Sequence, residues 1–116
     1  MTLVLKSEIQ HILVKRVYPD GEDYLLLDEA ILKAAKIQEN EKVLICNHAN
    51  GARFETYVLK AGKNSQACFI CGPAARLVHF GDPISITTYA RWLTGQIPAG
   101  YPVILAKCKE SAKKQH

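Results

Sequence analysis

Short runs in which apolar and polar residues alternate, separated by turn signals, recur through most of this chain, and that rhythm restricts its fold more than any other feature. A period of two sends successive side chains to opposite faces of an extended segment, one toward a core and one toward water. The runs are EIQHILVKRV (8–17), EKVLICNHA (41–49), RFETYVLKA (53–61), ACFIC (67–71), DPISITTYA (82–90) and PVILAKC (102–108). Between them stand residues that reverse a chain: Pro19-Asp20-Gly21, Asn50-Gly51, Ala61-Gly62-Lys63-Asn64 and Gly81-Asp82-Pro83. Short, evenly spaced strands of this kind predict a mainly β domain, a compact barrel or sandwich.

Only DEAILKAAKI (28–37) has the spacing of a helix: Ile31, Ala34 and Ala35 share a face, and Asp28 stands where a side chain caps the first turn. GPAARLV (72–78) predicts a shorter helical turn, with Pro73 at a first position where its missing N–H costs nothing. At 116 residues, 48% hydrophobic and 22% charged, the chain is long enough to build one core unaided. The expected organisation is one domain over residues 1–106 and a basic, flexible tail over 107–116, where Lys107, Lys109, Lys113 and Lys114 gather. That tail supplies much of the net charge of +4, without interleaved aromatics, so nucleic acid is not an expected partner. No apolar run approaches the roughly 18 residues of a membrane span. The stretch from Met1 to Val4 is too short for a signal-peptide core, so a cytoplasmic address without membrane contact is expected. Cys68 and Cys71 form a C-x-x-C pair, but Cys46 and Cys108 stand alone on apparent strands; the pattern predicts reduced thiols and no metal.

The richest run is ANGARFETYVL (49–59). Asn50-Gly51 predicts a hairpin, and the strand after it sends Arg53, Glu55 and Tyr57 to one face and Phe54, Thr56 and Val58 to the other. An arginine and a tyrosine on one face can hold a carboxylate and place a proton donor beside it. The same residues also read as structure, with Arg53 paired to Glu55 or a neighbour and Tyr57 filling a barrel mouth.

This run, with CGPAARLVHFGDPISI (71–86) and LDEAILKAAKIQENEKV (27–43), resembles the bacterial pyruvoyl-dependent aspartate 1-decarboxylases. The resemblance extends from Leu5 to about Tyr89 and rests on the family's order of a strand ending in Gly-Ser, a short helix, N-G-x-R-F-x-T-Y, N-G-A-A-A and G-D. It implies a double-psi β-barrel with short helices, assembled as a homotetramer with active sites between neighbouring subunits. It also implies a pyruvoyl cofactor made by self-cleavage at Gly-Ser, the electron sink for decarboxylation. The Gly-Ser position falls on Asp23-Tyr24, and no Gly-Ser, Gly-Thr or Gly-Cys pair exists in the chain. Tyr24 lacks the aliphatic hydroxyl that eliminates, and Asp23 carries a side chain where the family has glycine. The family's lysine falls on Glu8, its histidine on Gln10, its tyrosine before the cleavage site on Gly21, the asparagine of N-G-A-A-A on Cys71, and the first alanine of that motif on Pro73.

The expected function is therefore an aspartate-decarboxylase-like enzyme without a cofactor, using acid/base or thiol chemistry on a small carboxylate or acyl substrate in acyl transfer, cyclisation, hydrolysis or isomerisation. Tyr57 and Cys71 are its expected catalytic groups, with the Cys71 thiol activated by Arg53 or by the turn after it. Arg53, Thr56, Gly72, Ala74 and Ala75 are expected to bind substrate. Two alternatives stand beside it: a non-catalytic paralogue that binds a small acid or a partner subunit, and a genuine aspartate 1-decarboxylase making β-alanine.

Overall fold

A computed structural model describes residues 1–93 and 95–106; the basic tail expected over 107–116 lies outside the described residues. Eight strands follow one another with one helix and one 3-10 turn among them: β1 (Thr2–Leu13), β2 (Arg16–Tyr18), β3 (Tyr24–Asp28), α1 (Glu29–Ala35), β4 (Lys42–Asn47), β5 (Arg53–Ala61), β6 (Cys68–Cys71), the turn Pro73–Leu77, β7 (Pro83–Trp92) and β8 (Val103–Leu105). All six runs expected to be extended contain a strand. One strand was not foreseen: β3 has no alternation, because Leu25, Leu26 and Leu27 are all apolar.

The sheet order is β2-β6-β3-β5-β4-β7-β1-β8. Adjacent pairs are antiparallel except β1–β8, β2–β6 and β3–β5, which are parallel. A parallel pair cannot close through a hairpin, so α1 and β4 together carry the crossover from β3 to β5. The two edge strands lie at opposite ends of this order, yet Val17 of β2 and Leu105 of β8 pack against the same core. A flat sheet would hold them far apart, so the sheet curls around one interior. Ile9 and Ile12 of β1, Leu25 and Leu27 of β3, Ile45 of β4, Val58 of β5, Ile70 of β6 and Ile84 and Ile86 of β7 fill it. On β5 the burial alternates as the sequence pattern predicts, with Thr56 and Val58 inward and Arg53, Glu55 and Tyr57 outward.

Asp28 joins three parts of this architecture. It ends β3, caps α1 and is fully buried. Its Oδ1 accepts from the Ala30 N–H at 2.9 Å and the Asn64 N–H at 2.8 Å, and its Oδ2 from the Gln66 N–H at 2.8 Å. Asn64 and Gln66 stand at φ +63° and +61°, a region that costs a residue with a side chain of order 1 kcal/mol. The carboxylate between them holds the β5–β6 loop in that shape. Asn47 plays a similar part at the far end of β4: its amide donates to the Leu77 carbonyl at 3.1 Å and to Asp82 Oδ2 at 2.9 Å. This fixes the turn Pro73–Leu77 against the start of β7.

Replacing Asp28 with alanine leaves three backbone donors without their acceptor, at a cost of about 3 kcal/mol or more. Asp28→Asn keeps one acceptor oxygen and is expected to lose about half as much. Urea unfolding midpoints of the two variants, read at unchanged slope, check the order.

Candidate functional site

The sequence-predicted residues fall into two places. The first is the Asp23–Tyr24 junction, where β3 begins. Tyr24 pairs with Cys71 across the antiparallel β3–β6 ladder, which brings the end of β6 and the following turn over residue 23. Gly72 adopts φ +91°, and a Cβ there would sit 2.6 Å from both the backbone nitrogen and the Cα of Asp23. Only glycine permits that approach, whatever the neighbouring side chain does. Asp23 Oδ1 accepts the Ala74 N–H at 3.0 Å, and the Ala75 N–H is given to the Gly72 carbonyl at 2.9 Å. Two backbone donors expected to face a substrate are thus taken within the chain.

Tyr24 and Cys71 share a hydrogen bond. That bond to Cys71 is the main reason the Tyr24 phenol is held above the ordinary tyrosine range. Burial pushes the Cys71 thiol up, only partly offset by the Tyr24 hydroxyl. This is opposite to the lowered thiol expected from the sequence, because Arg53 is not beside it and desolvation dominates.

The second place is an open cavity of about 410 Å³ whose lining includes Glu8, Cys46, His48, Arg53, Ser85 and Tyr89. Arg53 opens β5 opposite Cys46, beside the hairpin that Asn50-Gly51 turns. Glu55 is paired with Lys42 at 3.3 Å, not with Arg53. His48 Nε2 lies 2.6 Å from Ser85 Oγ. The His11 ring stacks on His48, centroids 4.6 Å apart and planes 13° from parallel. His11 stands at φ +56° in the irregularity that shifts the β1–β7 register between Ile9 and Ile12. His79, by contrast, is turned to Asp82 on the surface.

Tyr57 does not join Arg53. Four residues along an extended strand separate them by roughly 13 Å, and Tyr57 is outside the cavity lining. The parallel register of Leu25 with Val58 sets Tyr57 next to Tyr24 instead. Thr56 points inward, and its buried hydroxyl has no hydrogen-bond partner among the described residues. Trp92 packs on Tyr101 with ring centroids 5.2 Å apart, and Lys36 at the end of α1 lies over the Tyr101 ring; none of the three lines the cavity. The sequence reasoning missed the His48–Ser85 pair. A histidine just before Asn-Gly and a serine on an alternating strand were the only signals available.

A pyruvoyl group at the family position does not fit the residues present. Asp23 fills the space beside Gly72 and binds Ala74, while the Tyr24 phenol is engaged on Cys71. Among the described residues, no group of three or more His, Cys, Asp or Glu side chains is placed to hold a metal ion, and no helix is long and apolar enough to cross a membrane.

The profile of the family described as Aspartate decarboxylase matches residues 1–112. The aspartate 1-decarboxylase of Flavobacterium psychrophilum is 47% identical over 88 residues, 76% of each chain. That of Cytophaga hutchinsonii is 45% identical over 87 residues, 75% of this chain and 76% of the relative. Among solved structures, the rationally designed mkDPBB_sym_86 protein, a double-psi β-barrel, superposes with a TM-score of 0.50 at 12% identity, over 66% of this chain and 90% of the design. The likeness supports the barrel expected from the sequence.

Iodoacetamide at pH 7.5 is expected to label Cys46, which borders the cavity, at least about tenfold faster than Cys71, whose rate climbs only in more alkaline solution. Tyr24→Phe removes the one contact that lowers the Cys71 pKa and is expected to slow its labelling further. Peptide mass spectrometry of the labelled chain reads both.

Proposed function

The chain belongs to the aspartate decarboxylase family, and from that membership we propose that its open cavity takes aspartate and that its reaction is loss of the 1-carboxyl to leave β-alanine. The observation that carries this reading is Arg53, retained at the mouth of a cavity in a chain 45–47% identical to proteins named aspartate 1-decarboxylase. It replaces the cofactor-free acyl, hydrolytic or isomerising enzyme expected from the sequence. That expectation gave too much weight to local departures, and its thiol is buried and held on the protonated side.

In this reading the Arg53 guanidinium holds one carboxylate through two parallel N–H bonds. Glu8, where the family resemblance implies a lysine, faces the same cavity and suits the substrate ammonium. Tyr57 serves as proton donor or acceptor across a boundary between copies. A homotetramer with sites between neighbouring subunits brings the Arg53 end of one copy to the Tyr57 face of another. Loss of the carboxyl leaves an electron pair that needs a sink; Asp23 and Tyr24 do not supply one, so this reading requires self-processing at another bond.

That same pair favours a second reading, a paralogue that binds aspartate without decarboxylating it. Incubating the purified chain with L-aspartate, measuring β-alanine, and weighing the intact chain under denaturing conditions separates the two. The decarboxylase reading predicts β-alanine at a rate that falls about a hundredfold in Arg53→Leu. Two fragments with a carbonyl at the new terminus would reinstate self-processing, at a bond that is not Gly-Ser. A single full-length species that binds aspartate through Arg53 and releases no β-alanine would leave only the binding reading. Absence of aspartate binding would remove both.

A further inference from the structure

We propose that the His48–Ser85 pair is a second carboxylate subsite of the Arg53 cavity, held open and charged when His48 is protonated, with His11 as its positioning residue. The inference rests on the aspartate reading of that cavity.

His48 Nε2 and Ser85 Oγ stand 2.6 Å apart at the cavity wall. One hydrogen lies between those atoms. When Nε2 carries no proton, the serine must donate its O–H to the ring, and it offers only lone pairs elsewhere. When Nε2 is protonated, in the other neutral tautomer or in the charged ring, the serine oxygen accepts from the ring and its own O–H is released to turn into the cavity. Ser85 is 6% exposed, on a strand whose partners fix it, while His48 sits in the loop between β4 and β5. The charged ring, a donor at both nitrogens, leaves the hydroxyl free for the cavity, whereas the neutral ring withholds it in one of its two tautomers.

Charge explains why a carboxylate is the ligand. The charged and titratable groups around the His48 ring are Glu8 and His11 from β1, Cys46 from β4, Arg53 from β5 and Tyr89 from β7. Asp82, next to the Pro83 carbonyl that accepts the His48 N–H, is turned to the Asn47 amide. Arg53 and Glu8 cancel, so the cavity is neutral with His48 neutral and carries one positive charge with His48 protonated. Aspartate carries two carboxylates and one ammonium. Arg53 and Glu8 satisfy one group of each sign, and the remaining carboxylate matches the protonated His48 with the hydroxyl that protonation frees. Binding of the second carboxylate is therefore coupled to proton uptake at His48.

His11 supplies the geometry. A residue with a side chain at φ +56° is strained, and the strain is stored where the β1 bulge lays one imidazole flat on another. The stack fixes the plane of the His48 ring and so the aim of Nε2 at Ser85.

Titration calorimetry of the purified chain with L-aspartate at pH 6.0 and pH 8.5, in two buffers of different ionisation enthalpy, tests this. The wild type is expected to bind at least about tenfold tighter at pH 6.0, with uptake approaching one proton. His48→Gln should lose the gain at pH 6.0, and L-alanine, with one carboxylate, should show no such gain on the wild type. His11→Ala should shrink the pH dependence while leaving the pH 8.5 affinity near the wild-type value. Aspartate binding that depends on Arg53 but is equal at the two pH values overturns this proposal and leaves the aspartate reading standing. So does an undiminished pH dependence in His48→Gln. No binding by the wild type at either pH overturns the aspartate reading and this proposal with it.

Discussion

The buried Asp28 carboxylate is the constraint on which the rest of the structure turns. It ends a strand, starts the helix that carries the crossover, and closes a loop in which two non-glycine residues hold positive φ. A buried carboxylate is costly unless its lone pairs are occupied, and here three backbone N–H groups occupy them. The start of the crossover and the loop that leaves β5 are therefore tied to the same side chain, at the end of the parallel β3–β5 pair where Asp28 stands beside Ala61. The same register sets Tyr57 beside Tyr24.

The separation of Tyr57 from Arg53 along β5 organises the chemistry of the surface. One end of β5 faces a polar cavity with charges of both signs, and the other faces an aromatic patch next to the β3 junction. The cavity brings Arg53 together with His48 and Ser85 but leaves Tyr57 outside. Tyr57, Phe80 and Tyr89, 54%, 75% and 46% accessible, are among the large apolar side chains exposed on the single chain.

Much of the fold was legible in the sequence because the alternation that marks a strand is the same alternation that buries it. The burial of β5 follows its sequence alternation from Arg53 to Val58, and Asp28 and Pro73 stand at the helical starts where local chemistry puts them. β3 was not legible, since three consecutive leucines carry no period. The site was harder. Arg53 and Tyr57 share a face in any regular strand, but whether they act together depends on distance along it and on what packs beside each. The fate of Cys71 depended on burial by residues remote in sequence, and the His48–Ser85 contact on a pairing of β4 with β7 that no local signal encodes. The departures at Asp23, Tyr24 and Glu8 were plain to read, but they weigh less than similarity spread over three quarters of the chain.

The contact of Gly72 with the backbone of Asp23 has a consequence for how this sequence can change. Five positions, 23, 24, 71, 72 and 74, are tied by one steric contact and two hydrogen bonds, so their substitutions are not independent. Placing Gly-Ser at residues 23 and 24 would take from Ala74 its acceptor and from Cys71 its partner at the same moment. A change at this junction therefore has to be matched by its neighbours across the β3–β6 ladder, and a single substitution there reports on all five positions together.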